Sequence, residues 1–326
     1  MRNFTFKGLF LTAVFMLLGC FSIQAADDDL ITKQITIKLE EAGTLPNKIA
    51  SSEMYKITNL KIIGEINGTD WRMIREMAGR DYWGDVTKGN LSVLDLSEAK
   101  IVKGGDSYYP GDNCYTSNDE IGEKAFTDCS RLTSLTLPVG ITSIGYDAFA
   151  YCSGLTSLTL PAGITSIGEY AFSGCSGLTS LNLPAGITSI DKYAFSGCSR
   201  LTSLTLPAGI TSIGEFAFSY CSGLTSIYVY AEKVPRIGRY AFEGCASRKC
   251  TLYVPKGTYD NYRLSEFGYF ENIVEFDATG IDKTTTSTDV EEVSRYSVNG
   301  QRLAVPVKGL NIVKYSDGTV RKVVVK

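Results

Sequence analysis

The chain has 326 residues, with 32 Lys and Arg against 35 Asp and Glu, a net charge of −3, and no histidine. That balance does not favour nucleic acid or an anionic membrane as a partner. Without imidazole the chain lacks the commonest general base near neutral pH, the usual nitrogen ligand for metals, and any Ser-His or Cys-His nucleophile pair. We therefore expect no catalytic residues, no metal site and no cofactor.

The first 25 residues read as an export signal: Arg2 and Lys7 precede a mostly apolar run from Gly8 to Ile23, and the small residues Ala25 and Ala26 follow. Removing them takes away two basic residues and no acids, so 30 − 35 leaves −5. Leu17-Leu18-Gly19-Cys20 supports an alternative, an outer-membrane lipoprotein with Cys20 lipidated. No later apolar run is long enough to span a bilayer, so no transmembrane segment is expected.

Residues 26–90 read as an N-terminal α/β cap. Ile35 to Leu39 and Leu60 to Ile63 are strand candidates, and Asp70 is placed to cap a helix through Trp71, Ile74 and Met77. Leu91 to Leu96 opens a region, 91–276, dominated by repetition. Units of 23 residues begin at Ile121, Ile144, Ile167 and Ile190, with a fifth at Ile213 and a divergent sixth at Ile237. Each full unit reads Ile-Gly-x-x-Ala-Phe-x-x-Cys-Ser-x-Leu-Thr-Ser-Leu-x-Leu-Pro-x-Gly-Ile-Thr-Ser, with Asp191 once in place of Gly.

Within a unit, Leu135 and Leu137 lie on one side of a short strand, Pro138 and Gly140 turn the chain, and Ile141 and Ile144 return it in a second extended piece. Ala125, Phe126, Cys129 and Leu132 have the spacing of a single helical or 3₁₀ turn. One unit has too little apolar surface to fold alone. Stacked units give continuous Leu, Ile, Phe and Cys ladders, which is a solenoid. Residues 277–289 read as a Thr- and Asp-rich linker. Residues 290–326 offer strand candidates at Arg295 to Val298, Leu310 to Tyr315 and Val320 to Val325, joined by Asn299-Gly300 and Asp317-Gly318 turns.

The repeat resembles that of BspA-like leucine-rich-repeat proteins, surface and secreted proteins of oral and gut bacteria. The likeness runs from Leu91 to Phe276. Gly64 to Trp71 and Leu94 to Ser97 are similar to that family's N-terminal cap. Tyr296 to Arg302, Lys308 to Val313 and Lys322 to Lys326 are similar to C-terminal sorting domains of type IX secretion cargo in the Bacteroidetes. The resemblance implies an α/β leucine-rich-repeat solenoid of mostly short parallel strands with short helical turns, followed by a small C-terminal β-module. It also implies a secreted or cell-surface adhesin for extracellular matrix proteins, other cells or glycans.

Two sets of residues are candidates for binding. One is the outward strand face, with Ser134, Ser157, Ser180, Ser203 and Ser226 in one row and Thr136, Thr159, Asn182, Thr205 and Tyr228 in another. Only nine of the 92 residues from Ile121 to Ser212 are charged, which argues against a partner held mainly by ion pairs there. The other set is the aromatic slot before Ala-Phe: Tyr170, Tyr193, Phe216 and Tyr240. The bland readings are a solvated β surface for the first and packing between repeats for the second. Cys129, Cys152, Cys175, Cys198, Cys221 and Cys245 read as buried free thiols, since parallel neighbours in a ladder lack disulfide torsion. A binding protein, a structural spacer without a specific ligand, and an enzyme with a pocket in the 104–120 insertion are the three functions weighed.

Overall fold

Successive regular units stack in parallel, so where their strands pair a side chain meets its counterpart 23 residues on. In the computed structural model, which describes residues 30–111, 114–278, 292–297, 302–303, 308–315 and 320–325, Ser134–Thr136 pairs in parallel with Ser157–Thr159 and Leu135 faces Leu158. A shorter ladder joins Glu120–Ile121, Ser143–Ile144 and Ser166–Ile167. The proposed export segment, Cys20, Asp112 and residues 279–289 of the linker lie outside the described residues.

The long ladder consists of two parallel sheets of five strands each. The first holds Ile35–Lys38, Asn59–Ile66, Val93–Ile101, Ser134–Thr136 and Ser157–Thr159. The second holds Ser180–Asn182, Ser203–Leu206, Ser226–Val229, Thr251–Pro255 and Asn272–Phe276. The N-terminal block thus supplies the first turns of the same parallel solenoid, because its strands pair in parallel with the repeats that follow.

The Ala-Phe-x-x-Cys segments do not form helices. They fold as successive hydrogen-bonded turns, because two residues in each unit adopt left-handed backbone, as at Lys124 (φ 55°) and Asp128 (φ 62°). That conformation aims their N–H groups along the solenoid axis: Lys124 donates to the Tyr146 carbonyl at 2.9 Å and Asp128 to Ala150 at 2.8 Å. A helix would turn those donors back on its own carbonyls.

Phe126, Phe149, Phe172, Phe195, Phe218 and Phe242 run through the core as one stack, with centroids 5.0–5.5 Å apart and ring planes within 14° of parallel. Between successive rings the Phe N–H donates to the next unit's Ala carbonyl, at 2.7 Å from Phe172 to Ala194. The first unit has no neighbour to supply such donors. There the Ala125 carbonyl accepts from Trp71 Nε1 (3.0 Å) and Arg75 Nη1 (3.1 Å), and the Glu123 carbonyl accepts from the Tyr108 hydroxyl (2.8 Å). Side chains of the cap thus stand in for a missing backbone.

Trp71 and Arg75 are carried by the helix Gly68–Met77. Its N-cap is Asn67, whose side chain accepts from Thr69 N–H at 3.0 Å, and not Asp70. Asp70 is fully buried at the third helical position, where its carboxylate takes the N–H groups of Asn67 (3.0 Å), Leu45 (2.8 Å) and Gly43. It pins the preceding loop to the helix as well as completing a capping box. At the far end Phe267 and Phe270 lie across Phe242, and the Tyr269 hydroxyl donates to the Cys245 carbonyl at 2.9 Å.

The tail forms an antiparallel sheet in the order Arg302–Leu303, Glu292–Ser297, Gly309–Tyr315, Val320–Val325. Three of these strands fall where the alternation places them, and Arg302–Leu303 is an addition. The two Gly turns lie outside the described residues.

Because the Phe stack is shared between neighbours, its loss cannot be absorbed within one unit. Phe195→Ala is expected to lower the unfolding free energy by about 3–5 kcal/mol in a denaturant titration, a core-cavity magnitude. A loss near zero would contradict the shared stack.

Candidate functional site

Every strand-face residue singled out in the sequence points outward. Ser134 pairs with Ser157 and Thr136 with Thr159 in the first sheet; Ser180, Ser203 and Ser226 align in the second, as do Asn182, Thr205 and Tyr228. The ladder pairing of these rows stops between Ser157–Thr159 and Ser180–Asn182, although the Thr179 N–H still donates to the Thr156 carbonyl at 3.2 Å. Among the described residues, none of the Ser, Thr and Asn side chains in these two rows hydrogen-bonds to protein, so they remain available to water or a partner. A cavity of about 570 Å³ opens where the sheets meet, lined by Ser157, Thr159, Ser180, Asn182, Ser203 and Thr205 among others.

The neighbouring threonines do something else. Thr133, Thr156, Thr179, Thr202 and Thr225 each donate a hydroxyl to the carbonyl one unit back, at 3.0–3.3 Å. In the repeated Thr-Ser pair the first residue ties units together and the second is free. Sequence reasoning missed that division of labour.

At its C-terminal end the strand face becomes aromatic. Tyr228 stacks on Tyr253 with centroids 4.4 Å apart and planes 6° from parallel, and Phe276 stands edge-on to both Tyr228 (5.9 Å) and Tyr230 (5.1 Å). Burial, then the adjoining Tyr253 phenol, raises the Tyr228 hydroxyl above its ordinary pKa, so it stays protonated. Tyr230, Tyr253 and Phe276 were not among the expected site residues. The signal was present in Leu252-Tyr253-Val254, which repeats the alternation of Ile227-Tyr228-Val229.

The aromatic slot lies elsewhere, on the rim formed by the turns. Tyr170, Tyr193 and Phe216 stack face to face at 4.7 and 4.9 Å, with Tyr146 and Tyr240 at the ends. Tyr170, Tyr193, Phe216 and Tyr240 all hold left-handed backbone, φ 54° to 58°, which costs a bulky residue on the order of 1–2 kcal/mol. Ring stacking and the forward N–H bond, from Tyr193 to the Glu215 carbonyl at 2.9 Å, offset it. Tyr240 also lines a second cavity of about 510 Å³ with Arg239, Glu243, Glu266 and Tyr269. No residue is shared with the strand-face cavity, so the two expected sets form two places and not one.

In the 104–120 insertion one carboxylate, that of Asp106, is engaged with the cap. Asp106 exchanges hydrogen bonds with the Thr69 hydroxyl and Tyr108 is buried beneath the cap. The insertion seals the first unit, with the Tyr108 hydroxyl donating to the Glu123 carbonyl.

The ladder cysteines are free and buried. Each of Cys152, Cys175, Cys198, Cys221 and Cys245 donates its thiol to the Phe carbonyl one unit back, at 3.0–3.4 Å. Burial pushes the Cys129 thiol up to about 11 and those of Cys152 and Cys175 well above the ordinary value, which removes the reactive thiolate.

Residues 119–249 match, in six copies, the family model described as BspA type leucine rich repeat region. This part of the chain is therefore built of BspA type repeats. No curated protein matches the chain. Among solved structures it is similar to a leucine rich repeat protein of T. pallidum, at 28% identity over 50% of this chain and 77% of that one, with a TM-score of 0.39. It is similar also to a leucine-rich repeat protein from Bacteroides ovatus, at 26% identity, 44% and 45% coverage and a TM-score of 0.35. A leucine rich cell surface protein from Faecalibacterium prausnitzii follows at 23% identity, 68% and 51% coverage and a TM-score of 0.35. The chain spans about half the length of the last two.

Alkylation should leave Cys152, Cys175 and Cys198 unlabelled in the native protein and label all three after denaturation. Mass spectrometry reads the result. Fast native labelling, or peptides joined by disulfides between units, would contradict a ladder of buried free thiols.

Proposed function

We propose that the chain is an exported, non-enzymatic binding protein of the adhesin kind, which holds extracellular proteins or glycans against the outer strand face. The observation that carries this reading is the row of unbonded hydroxyl and amide side chains ending in the Tyr228, Tyr253 and Phe276 cluster. Polar groups that fix orientation beside exposed aromatic surface are what recognition of protein or carbohydrate uses. The near absence of charge in the repeats fits a partner engaged by hydrogen bonds and ring contacts. The BspA type repeats support the same role, since stacked repeats present long surfaces suited to protein binding. The rim aromatics Tyr170, Tyr193, Phe216 and Tyr240 act in this reading as packing between repeats.

An array of matrix proteins and glycans probed with the purified protein tests the proposal. Tyr228→Ala and Asn182→Ala should each weaken a captured ligand by about tenfold or more, the scale of an interface hot spot, and leave the unfolding midpoint nearly unchanged. A protein that captures nothing, or variants that bind as the parent does, would favour a structural spacer.

Residues 290–326 serve, in the same proposal, as an export or attachment module with its own β-sheet, similar to a type IX sorting domain. Seven basic residues against three acidic ones give it +4, beside nearly neutral repeats. Deleting it should change where the protein accumulates in its host while leaving solenoid melting and ligand affinity as they were. Unchanged location with lost binding would move the site to the tail.

A further inference from the structure

One boundary between the described repeats lacks the ladder pairing of the others, and it is the one where Asp191 replaces Gly. In the short ladder, Glu120–Ile121, Ser143–Ile144 and Ser166–Ile167 form one sheet and Ser189–Ile190, Ser212–Ile213 and Arg236–Ile237 another. The long ladder is divided at the same boundary, between Ser157–Thr159 and Ser180–Asn182. Across every other boundary the Gly following Ile donates to the Ile one unit back: Gly145 to Ile121, Gly168 to Ile144 and Gly214 to Ile190 at 2.8 Å, and Gly238 to Ile213 at 2.7 Å. Among the described residues no such bond joins Asp191 to Ile167, and none joins Thr188 to Thr165, although Thr165 reaches Thr142 and Thr211 reaches Thr188.

We infer that Asp191 is a steric wedge that divides the solenoid into two stiff blocks hinged on their aromatic side. Residue 191 stands where the other units have Gly, and those glycines are pressed flat on the preceding unit. A Cβ at Gly145 or Gly168 would lie 2.9 Å from backbone atoms there, at Gly214 2.7 Å and at Gly238 2.4 Å. None of the four has positive φ, so what they supply is space and not backbone freedom. An ordinary carbon contact begins near 3.4 Å. Admitting a Cβ therefore moves the units apart by about 0.5–1 Å, which stretches a 2.8 Å hydrogen bond to or past its limit.

The opposite side of the boundary is undisturbed. Phe172 N–H still meets the Ala194 carbonyl at 2.7 Å and Gly174 N–H meets Ser196 at 2.7 Å. Phe172 stacks on Phe195 at 5.1 Å and Tyr170 on Tyr193 at 4.7 Å, as at intact boundaries. On the strand side the Thr179 N–H still reaches the Thr156 carbonyl at 3.2 Å, as Thr156 reaches Thr133, so the opening begins past Thr179 and runs from Ser180 to Asp191, with the rim as its spine. Leu158, Leu160 and Leu183, beside the opening, are 7–8% exposed, whereas Leu204 and Leu206 are sealed at 0%. The strand-face cavity straddles the boundary, with Ser157 and Thr159 on one block and Ser180 and Asn182 on the other, so the hinge sets its width.

Hydrogen exchange on the full chain tests this without any ligand. In the parent protein the amides of Ser180 to Leu183 and Thr188 to Asp191 should exchange faster than those of Ser203 to Leu206 and Thr211 to Gly214, by roughly tenfold or more. Asp191→Gly should erase the difference, and Asp191→Ala should keep it, because the Cβ and not the charge is the wedge. Gly214→Asp should open a second fast-exchanging boundary at Ser212 and Ile213. Uniform exchange in the parent, an unchanged pattern in Asp191→Gly, or closure by Asp191→Ala would each overturn the inference.

Discussion

Parallel backbone pairing between successive turns fixes their separation at about 4.8 Å, and nearly every side-chain choice in the repeats answers to that length. Aromatic rings tolerate it because flat stacking has a similar optimum, so the Phe core and the Tyr rim settle at 4.7–5.5 Å without adjustment. Thiols tolerate it because a small polarisable group fills the gap and reaches the carbonyl one unit back. Thr hydroxyls span it, and Gly is required wherever two backbones touch. Residues that do not fit must either leave the stack or force it open.

The same length explains the strained turns. A residue in left-handed backbone is unfavourable alone, yet it points its N–H at the neighbour, and the neighbour does the same for the next unit. The local cost is met only when the units are stacked, which couples each turn to its neighbours. At the ends this coupling has no partner. At the N-terminal end Trp71, Arg75 and Tyr108 supply polar atoms from side chains where a backbone is missing, and at the other end the Tyr269 hydroxyl adds a bond to the Cys245 carbonyl.

The period, the Leu, Ile, Phe and Cys ladders and the outward rows were legible in the sequence, because repetition reports register directly: an apolar position recurring every 23 residues can only be a stack. What was illegible depended on direction in space. Spacing of three and four between Ala125, Phe126, Cys129 and Leu132 reads as a helical turn, and nothing in the letters shows that Lys124 and Asp128 adopt positive φ. Asp70 has the composition of an N-cap, yet Asn67 caps and Asp70 reaches back, since the helix starts one turn earlier than its apolar face does. Tyr253 and Phe276 lay beyond the regular units, where the period had lapsed. Asp191 was visible as the single departure from Gly, but its consequence rests on which atoms that Gly touches.

A perfectly periodic face is a poor instrument of recognition, because a ligand that fits one unit fits the next equally well and can slide along the row. Specific docking needs positions where the repetition is broken. The strand face has two such places: Asn182 at the opening made by Asp191, and the Tyr228, Tyr253 and Phe276 cluster two turns further on. Both lie on the second sheet and are joined through Ser203 and Thr205, so a ligand spanning them would have one register and one direction. The uniform Ser and Thr rows of the first sheet would then act as a scaffold that holds these two irregularities at a fixed separation. In the proposed binding role, discrimination would follow from the defects in the pattern, and rigidity from the pattern itself.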